Sequence, residues 1–350
     1  MKQVLIPALF CAAVFLSCGK GSDSPTPPTP PNPPDTTGNN TAAFAKGADI
    51  SWLTEMEASG YKFYNRAGQQ KDCYAILKEQ GMNAIRLRAW VNPTDGWCNT
   101  KDVVAKAKRA KAAGLAIMLD FHYSDWWADP GKQNKPAAWS SLNFIDLKNT
   151  LSGYTKHVMD TLKSNGIVPS WVQVGNETDD GILWEDGRAS KAMGNFAALV
   201  KAGYEAVKSV SDTTKVIVHV SNGFNNDLFR WLFDGLKNNG AKWDVIGMSL
   251  YPSSSNWQTL NTQCLSNMND MVSRYKTPVM ICEVGMPWTD SVACKSFLSD
   301  LISKTRSVAN HNGLGVFYWE PEGYNNWNSY SLGAFDNSGK PTVALDAFKE

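Results

Sequence analysis

The chain has 350 residues, with 34 Lys and Arg against 33 Asp and Glu, for a formal net charge of +1. That balance lacks the basic excess that holds a polyanion, so nucleic acid is excluded as a partner. Hydrophobic residues at 43% and charged residues at 19% allow a packed core, and a mean hydropathy of −0.32 argues against a polytopic membrane protein.

Residues 1–17 read as a removable leader. Lys2 supplies the positive end, and Val4 to Leu16 is almost wholly apolar but short of the ~20 residues a spanning helix needs. Leu16-Ser17-Cys18-Gly19 resembles a bacterial lipobox. That implies cleavage before Cys18, lipidation of the cysteine and a lipid anchor in the bacterial cell envelope, periplasmic or on the outer surface. An ordinary secretory leader with an incidental cysteine is the alternative. Residues 18–43 hold the anchor cysteine and a linker. Seven of the chain's 17 prolines fall in SPTPPTPPNPPD. Proline blocks helix and ladder bonds, so this stretch reads as an extended spacer, about 3.1 Å per residue.

From residue 44 to 350 short apolar runs alternate with longer helical patterns. Strands are expected at Ala45–Ile50, Ala84–Trp90, Leu115–Tyr123, Trp171–Glu177, Lys215–Ser221, Val245–Tyr251, Val279–Val284 and Leu314–Glu320. Helical patterns fall near 70–80, 101–113, 144–165, 190–210, 225–238, 261–275, 292–309 and 341–349. Alternation means right-handed crossovers and a parallel sheet. Eight repeats suit a closed α/β barrel, the (β/α)8 TIM barrel. A doubly wound open sheet is the alternative, although no GxGxxG or P-loop follows the first strands.

Strand parity supports the barrel. Leu115, Ile117, Leu119 and Phe121 share one face, and Ala116, Met118, Asp120 and His122 share the other. Ile85 and Leu87 likewise oppose Arg86 and Arg88. His219, Tyr251, Glu177, Glu283 and Trp319 fall at or near strand C-termini, where barrel active sites lie. Five cysteines follow Cys18. Cys282 sits in an apolar strand and reads as a buried thiol. Cys73–Cys98 and Cys264–Cys294 are the pairings expected, since each joins neighbouring elements, although sequence alone cannot fix connectivity.

Glu177 on the fourth strand and Glu283 on the seventh would face each other across the mouth. A facing carboxylate pair is what glycoside hydrolysis needs, and a separation of about 5–5.5 Å makes it retaining. Glu283 is assigned as nucleophile and Glu177 as acid/base, its pKa raised by the neighbouring charge.

With those residues in view, the chain resembles the clan of retaining glycosidases on (β/α)8 barrels, and more specifically glycoside hydrolase family 53, the endo-β-1,4-galactanases. The matching segments include GADISWLTEMEASG from Gly47, NAIRLRAWVNP from Asn83, DFHYSDWWADPGKQNKPAAW from Asp120, WVQVGNETDDGILW from Trp171, DVIGMSLYP from Asp244, EVGMPW from Glu283 and GVFYWEPE from Gly315. The resemblance implies that Asn176 holds the sugar 2-hydroxyl, while Arg86 and Tyr251 hydrogen-bond the nucleophile. It places His219 near Glu177 and His122 near the cleaved sugar, with Asp49 and Trp319 lining the same region. It also implies a polysaccharide substrate, the galactan side chains of pectic arabinogalactan.

Trp52, Trp90, Trp126, Trp127, Trp139, Trp288 and Trp327 fall in loops after strands. Two or three are expected to be sugar platforms, Trp126 and Trp127 first. Some bacterial members of the resembled family bind calcium near strands seven and eight. Here the Pro287–Lys295 stretch is short, so no metal or other cofactor is expected. A monomer is expected. Three rival readings stand: the same chemistry on mannan, xylan or cellulose, a non-catalytic glycan-binding lipoprotein, or a metal hydrolase using His122, His219 and Asp120.

Overall fold

The computed structural model describes residues 43–350. The leader 1–17, Cys18 and the linker up to residue 42 lie outside the described residues. Eight β-rich apolar runs form β1 (Ala45–Asp49), β2 (Ala84–Ala89), β3 (Ala116–Phe121), β4 (Trp171–Val174), β5 (Lys215–Val220), β6 (Val245–Leu250), β7 (Val279–Val284) and β8 (Gly313–Trp319). They pair in parallel in chain order, and β8 returns to β1, which closes the barrel.

The alternation read from the sequence is the alternation of the two cores. Ile85, Leu87, Ile117, Leu119, Val172, Val216, Val218, Ile246 and Val316 pack outward under the helices. Ala45, Ala84, Met118, Trp171, Ile217, Val245, Met280 and Phe317 fill the barrel floor. The apolar floor is a closed plug, so polar inward residues gather only in the layers above it, toward the strand C-termini.

The helices are α1 (Leu53–Ala58), α2 (Cys73–Glu79), α3 (Thr100–Ala112), α4 (Phe144–Ser164), α5 (Ala189–Val210), α6 (Asn226–Asn238), α7 (Trp257–Tyr275) and α8 (Ser291–Ser307). Local chemistry starts several of them. The side chains of Asp72, Asn99, Asn143 and Asn225 each accept a backbone N–H from the first turn. In α6 the buried residues Phe229, Leu232, Phe233 and Leu236 follow the 3, 4, 7 spacing of one helical face.

The structure departs from the expected elements in four places. The short α1 lies in a stretch that carried no helical expectation. The expected final helix at 341–349 is a 3₁₀ segment, Val343–Lys349, packed on α8. β4 stops at Val174 instead of running to Glu177, because Gly175 (φ 109°) and Glu177 (φ 42°) leave the extended region. The expected disulfides are also corrected: Cys73, Cys98, Cys264 and Cys294 are free and buried, as is Cys282. Each thiol packs in surroundings of its own. Cys98 Sγ lies 3.6 Å from Ser51 O, and Cys294 Sγ lies 3.7 Å from the Tyr318 hydroxyl. Cys73, Cys264 and Cys294 behave as small hydrophobes in the outer core, Cys282 packs inside the barrel, and Cys98 lies 3.9 Å from the buried Lys106 ammonium.

Candidate active site

Arg86 on β2 organises the mouth of the barrel. It is 1% exposed, and its guanidinium is almost fully spent. Nε donates to Gln173 Oε1 at 2.7 Å, and Nη1 to Asp49 Oδ2 at 2.6 Å. Nη2 donates to Asp120 Oδ2 and Asn176 Oδ1, both at 2.9 Å, and lies 2.8 Å from Glu283 Oε1. Strand register brings these groups near one another, since Asp49 pairs with Arg86, and Asp120 pairs with Gln173 one inward step further along the strands. Burial works against the Arg86 charge, but Asp120, Glu283 and Asp49 outweigh it and hold the guanidinium protonated. Burial likewise pushes the Asp120 carboxyl up, and Arg86 and His122 outweigh that and hold it down at about 2.

Glu283 owes its position to an irregularity. Strict alternation along β7 would turn it outward, because Ile281 and Val284 pack outside and Cys282 packs inside. Met248 pairs with Ile281, yet the next residue, Ser249, pairs with Glu283. Cys282 is therefore the extra residue of a bulge, which re-aims the following side chain into the mouth. Gly247 accommodates it: a Cβ there would come within 2.8 Å of Cys282 Sγ and 2.7 Å of the Ile217 side chain. Glu283 is 5% exposed, and its Oε2 accepts from the Tyr251 hydroxyl at 2.8 Å. Tyr251 reaches in from a ring still 37% exposed.

Asn176 and Glu177 are adjacent, yet both turn into the site, because the left-handed Gly175 and Glu177 break the strand's alternation. Asn176 is clamped by Arg86 on its oxygen and by Ala128 O on its nitrogen at 2.9 Å. Burial raises the Glu177 carboxyl well above the ordinary range, and the Glu283 charge raises it further. Burial also raises Glu283, but Arg86 and Tyr251 pull it back, and Glu177 has no such cation in contact. Both carboxyls end up raised, Glu283 only to about 7 because Arg86 and Tyr251 oppose burial, so of the pair Glu283 is the first to ionise and Glu177 the one that keeps its proton to higher pH.

His219 is fully buried, and its neighbours set its tautomer. Gln173 is oriented by Arg86 on its oxygen and by Asp120 Oδ1, which accepts from Nε2 at 3.0 Å. Its second N–H therefore points at His219 Nδ1, 2.8 Å away; one acceptor, Asn176 Oδ1, also lies 3.0 Å from that nitrogen, but two N–H donors face it, so it accepts. The Glu177 backbone N–H points at the same atom, 3.3 Å away, so His219 supports the turn that carries Glu177. His219 Nε2–H donates to Ser249 Oγ at 2.8 Å. Burial and then Arg86 hold the ring neutral. His122 is also neutral, with burial the main cause. Its Nε2 meets Asp120 at 3.0 Å, and its Nδ1 accepts from Ala128 N–H at 3.1 Å and from Trp90 Nε1–H at 3.3 Å. Both nitrogens are thus spent on holding Asp120 and Trp90. Asp49 is spent as well, on Arg86 and Ser51. Among the described residues no group of three His, Cys, Asp or Glu donors could hold a metal ion.

Beside the carboxylates lies a cavity of about 470 Å³, walled by Trp52, Trp90, Trp126, Trp127, Trp319 and Tyr330 and rimmed by Glu55 and Asp95. Gly285 ties the two regions together, since a Cβ there would lie 3.0 Å from the Tyr251 ring and 3.1 Å from the Tyr330 hydroxyl. Trp126 is 50% exposed and leans on Trp90, with ring centroids 4.6 Å apart. Trp127 is half-buried, edge-on to Trp52 and Trp319. Trp139 and Trp288 stand outside this wall. A slightly larger cavity of about 510 Å³ opens at the opposite end, beneath Trp171, and no carboxylate lines it. Gln173 and Ser249 were legible as inward-facing strand positions. Tyr330 lies in the long loop after β8, where no periodicity marks it.

The description "Glycosyl hydrolase family 53" belongs to the family model that matches residues 45–348. A protein of Neosartorya fischeri named "Probable arabinogalactan endo-beta-1,4-galactanase A" is 36% identical over 79% of this chain and 83% of its own length. An "Arabinogalactan endo-beta-1,4-galactanase" of Humicola insolens is 35% identical over 87% of this chain and 98% of its own. A solved structure titled as one of two fungal β-1,4-galactanases superposes with a TM-score of 0.82 at 31% identity. It covers 88% of this chain and all of that one.

Proposed function

The chain belongs to glycosyl hydrolase family 53, and from that premise we propose that it hydrolyses internal β-1,4-galactosidic bonds in galactan by a retaining, two-carboxylate mechanism. The observation that carries the proposal is the charge asymmetry of the pair: the Arg86 guanidinium lies 2.8 Å from Glu283 and the Tyr251 hydroxyl donates to it, while Glu177 has neither an ion pair with Arg86 nor a hydrogen bond from Tyr251. An ionised Glu283 attacks the anomeric carbon as Glu177 passes its proton to the leaving glycosidic oxygen. A covalent galactosyl ester and a shortened glycan result. With the ester formed, the Glu283 charge is gone and the Glu177 pKa falls. Glu177 can then take a proton from water, which attacks the anomeric carbon and frees Glu283. Asn176, clamped by Arg86, offers its amide to the 2-hydroxyl, a contact that strengthens in the oxocarbenium-like transition state. The tryptophan-walled cavity supplies flat faces for neighbouring pyranose rings, with Trp126 and Trp127 as platforms.

The same proposal holds the enzyme as a monomer on the bacterial envelope through lipidated Cys18, with the proline-rich spacer carrying the barrel to its polysaccharide. A Cys18→Ser variant that still fractionates with membranes would remove the anchor. The activity is tested by reducing-end release from linear β-1,4-galactan, with β-mannan, xylan and carboxymethyl-cellulose alongside. Turnover of galactan alone, lost in Glu177→Ala and Glu283→Ala, is expected. Turnover of another glycan assigns the chemistry to that substrate. Binding without turnover makes the chain a glycan-binding protein.

A further inference from the structure

β2 carries a second inward arginine, and the mechanism above does not use it. Arg88 is 1% exposed, and its Nη1 donates to Glu320 Oε1 at 3.0 Å. Its Nε and Nη2 have no hydrogen-bond partner. Two guanidinium nitrogens whose three N–H groups are unmatched in a dry interior are costly unless something else faces them. What faces them is aromatic. The guanidinium carbon lies 4.1 Å from the Trp127 ring centroid, 4.8 Å from that of Trp90 and 5.9 Å from that of Trp52. The negative faces of indoles are the partners a desolvated cation finds there. Glu320 extends the arrangement, since its Oε2 accepts the Trp52 backbone N–H at 3.1 Å. These three indoles wall the cavity beside the carboxylates, and Arg88 does not line it.

The structure assigns Arg88 as a positioning residue for glycan binding: its guanidinium, anchored by Glu320, fixes the planes of Trp52, Trp90 and Trp127. It acts on the sugar through rings it holds and touches no sugar itself. Lysine at this position would keep the charge for Glu320, but a compact ammonium cannot span three rings as a planar guanidinium does. The inference takes its ligand from the proposed function, and the experiment separates the two.

Arg88→Lys and the charge-neutral pair Arg88→Met with Glu320→Gln are compared with wild type in three ways: thermal unfolding, kcat and KM on linear β-1,4-galactan, and the far-ultraviolet circular dichroism couplet of closely packed indoles. The expected result is a cooperative transition in at least one variant with a weakened couplet. With it KM rises about tenfold or more while kcat stays within about twofold, and the pH profile of kcat is unmoved. A folded variant with unchanged couplet and KM overturns the inference. So does a fall in kcat at unchanged KM. Loss of the transition in both variants makes Arg88 a core ion-pair residue only, and also overturns it. A wild type inactive on galactan refutes the substrate, and the couplet then decides the role of Arg88 without turnover.

Discussion

Replacing Arg86 with lysine is the perturbation whose outcome follows most closely from geometry. The guanidinium serves Gln173, Asp49, Asp120, Asn176 and Glu283 together. Lysine brings the same charge but three donors where arginine has five, so at least two of those acceptors go unserved. Losing one charge-assisted hydrogen bond costs about 1.5–3 kcal/mol. If about half of that falls on ionised Glu283, its pKa rises by roughly one unit, since one unit is about 1.4 kcal/mol. The nucleophile works ionised, so the acidic limb of the kcat/KM profile moves to higher pH by about that amount. The alkaline limb belongs to Glu177 and stays. Arg86→Met goes further and leaves Asp49, Asp120 and Glu283 without their cation, which costs about 3–5 kcal/mol of stability and lowers the urea midpoint. The assay is kcat/KM on galactan from acid to alkaline pH, with urea unfolding alongside. An unmoved acidic limb in Arg86→Lys, at near wild-type kcat/KM, refutes the reasoning.

Tyr251→Phe removes the 2.8 Å donor to Glu283; kcat/KM should fall about ten- to a hundredfold, again with the acidic limb raised, and unchanged kinetics would count against Glu283 as nucleophile. Trp126→Ala removes a half-exposed indole; KM for galactan should rise several-fold with kcat and the unfolding midpoint nearly kept, whereas a fall in kcat alone would put Trp126 in the chemistry. Glu322→Gln probes a second carboxyl pair. Glu322 is fully buried beside Glu320, and no N–H or hydroxyl of another residue type donates to either of its oxygens, which leaves the two carboxyls to share a proton. Burial and then Glu320 raise its pKa well above the usual value. Its folded pKa is raised, so its stabilising contribution is complete below the unfolded value near 4.5 and is lost as pH rises through the folded one. The Tm advantage of Glu322→Gln should therefore grow from about pH 5 upward, by up to about 1.4 kcal/mol per pH unit. A constant advantage would contradict the buried-acid reading.

Much of this was legible in the sequence, because a parallel barrel writes its two cores into every strand. Ile85 and Leu87 opposite Arg86 and Arg88, and Ile117 and Leu119 opposite Met118 and Asp120, needed only a period of two. What escaped are the places where the backbone leaves that period. The inward turn of Glu283 depends on the bulge at Cys282, and the shared inward turn of Asn176 and Glu177 depends on left-handed Gly175. Alternation predicts neither. The cysteines misled because chain neighbours were treated as neighbours in space, whereas Cys73 packs in the apolar outer core and Cys98 lies against the buried Lys106 ammonium and the Ser51 carbonyl. Arg88 read as one more inward arginine. Its role appears only once Trp52, Trp90 and Trp127, from three different loops, are folded around it.

The two carboxylates are tested most directly by azide rescue on an activated aryl β-galactoside carrying at least one further β-1,4-galactose. In Glu177→Ala the ester with Glu283 still forms, and azide attacks it from the face that acid/base catalysis would have used. The product should be the β-galactosyl azide. In Glu283→Ala azide takes the place of the nucleophile, and the product should be the α-galactosyl azide. The opposite anomers would exchange the two roles, and the absence of rescue in both variants would contradict a two-carboxylate mechanism at Glu177 and Glu283.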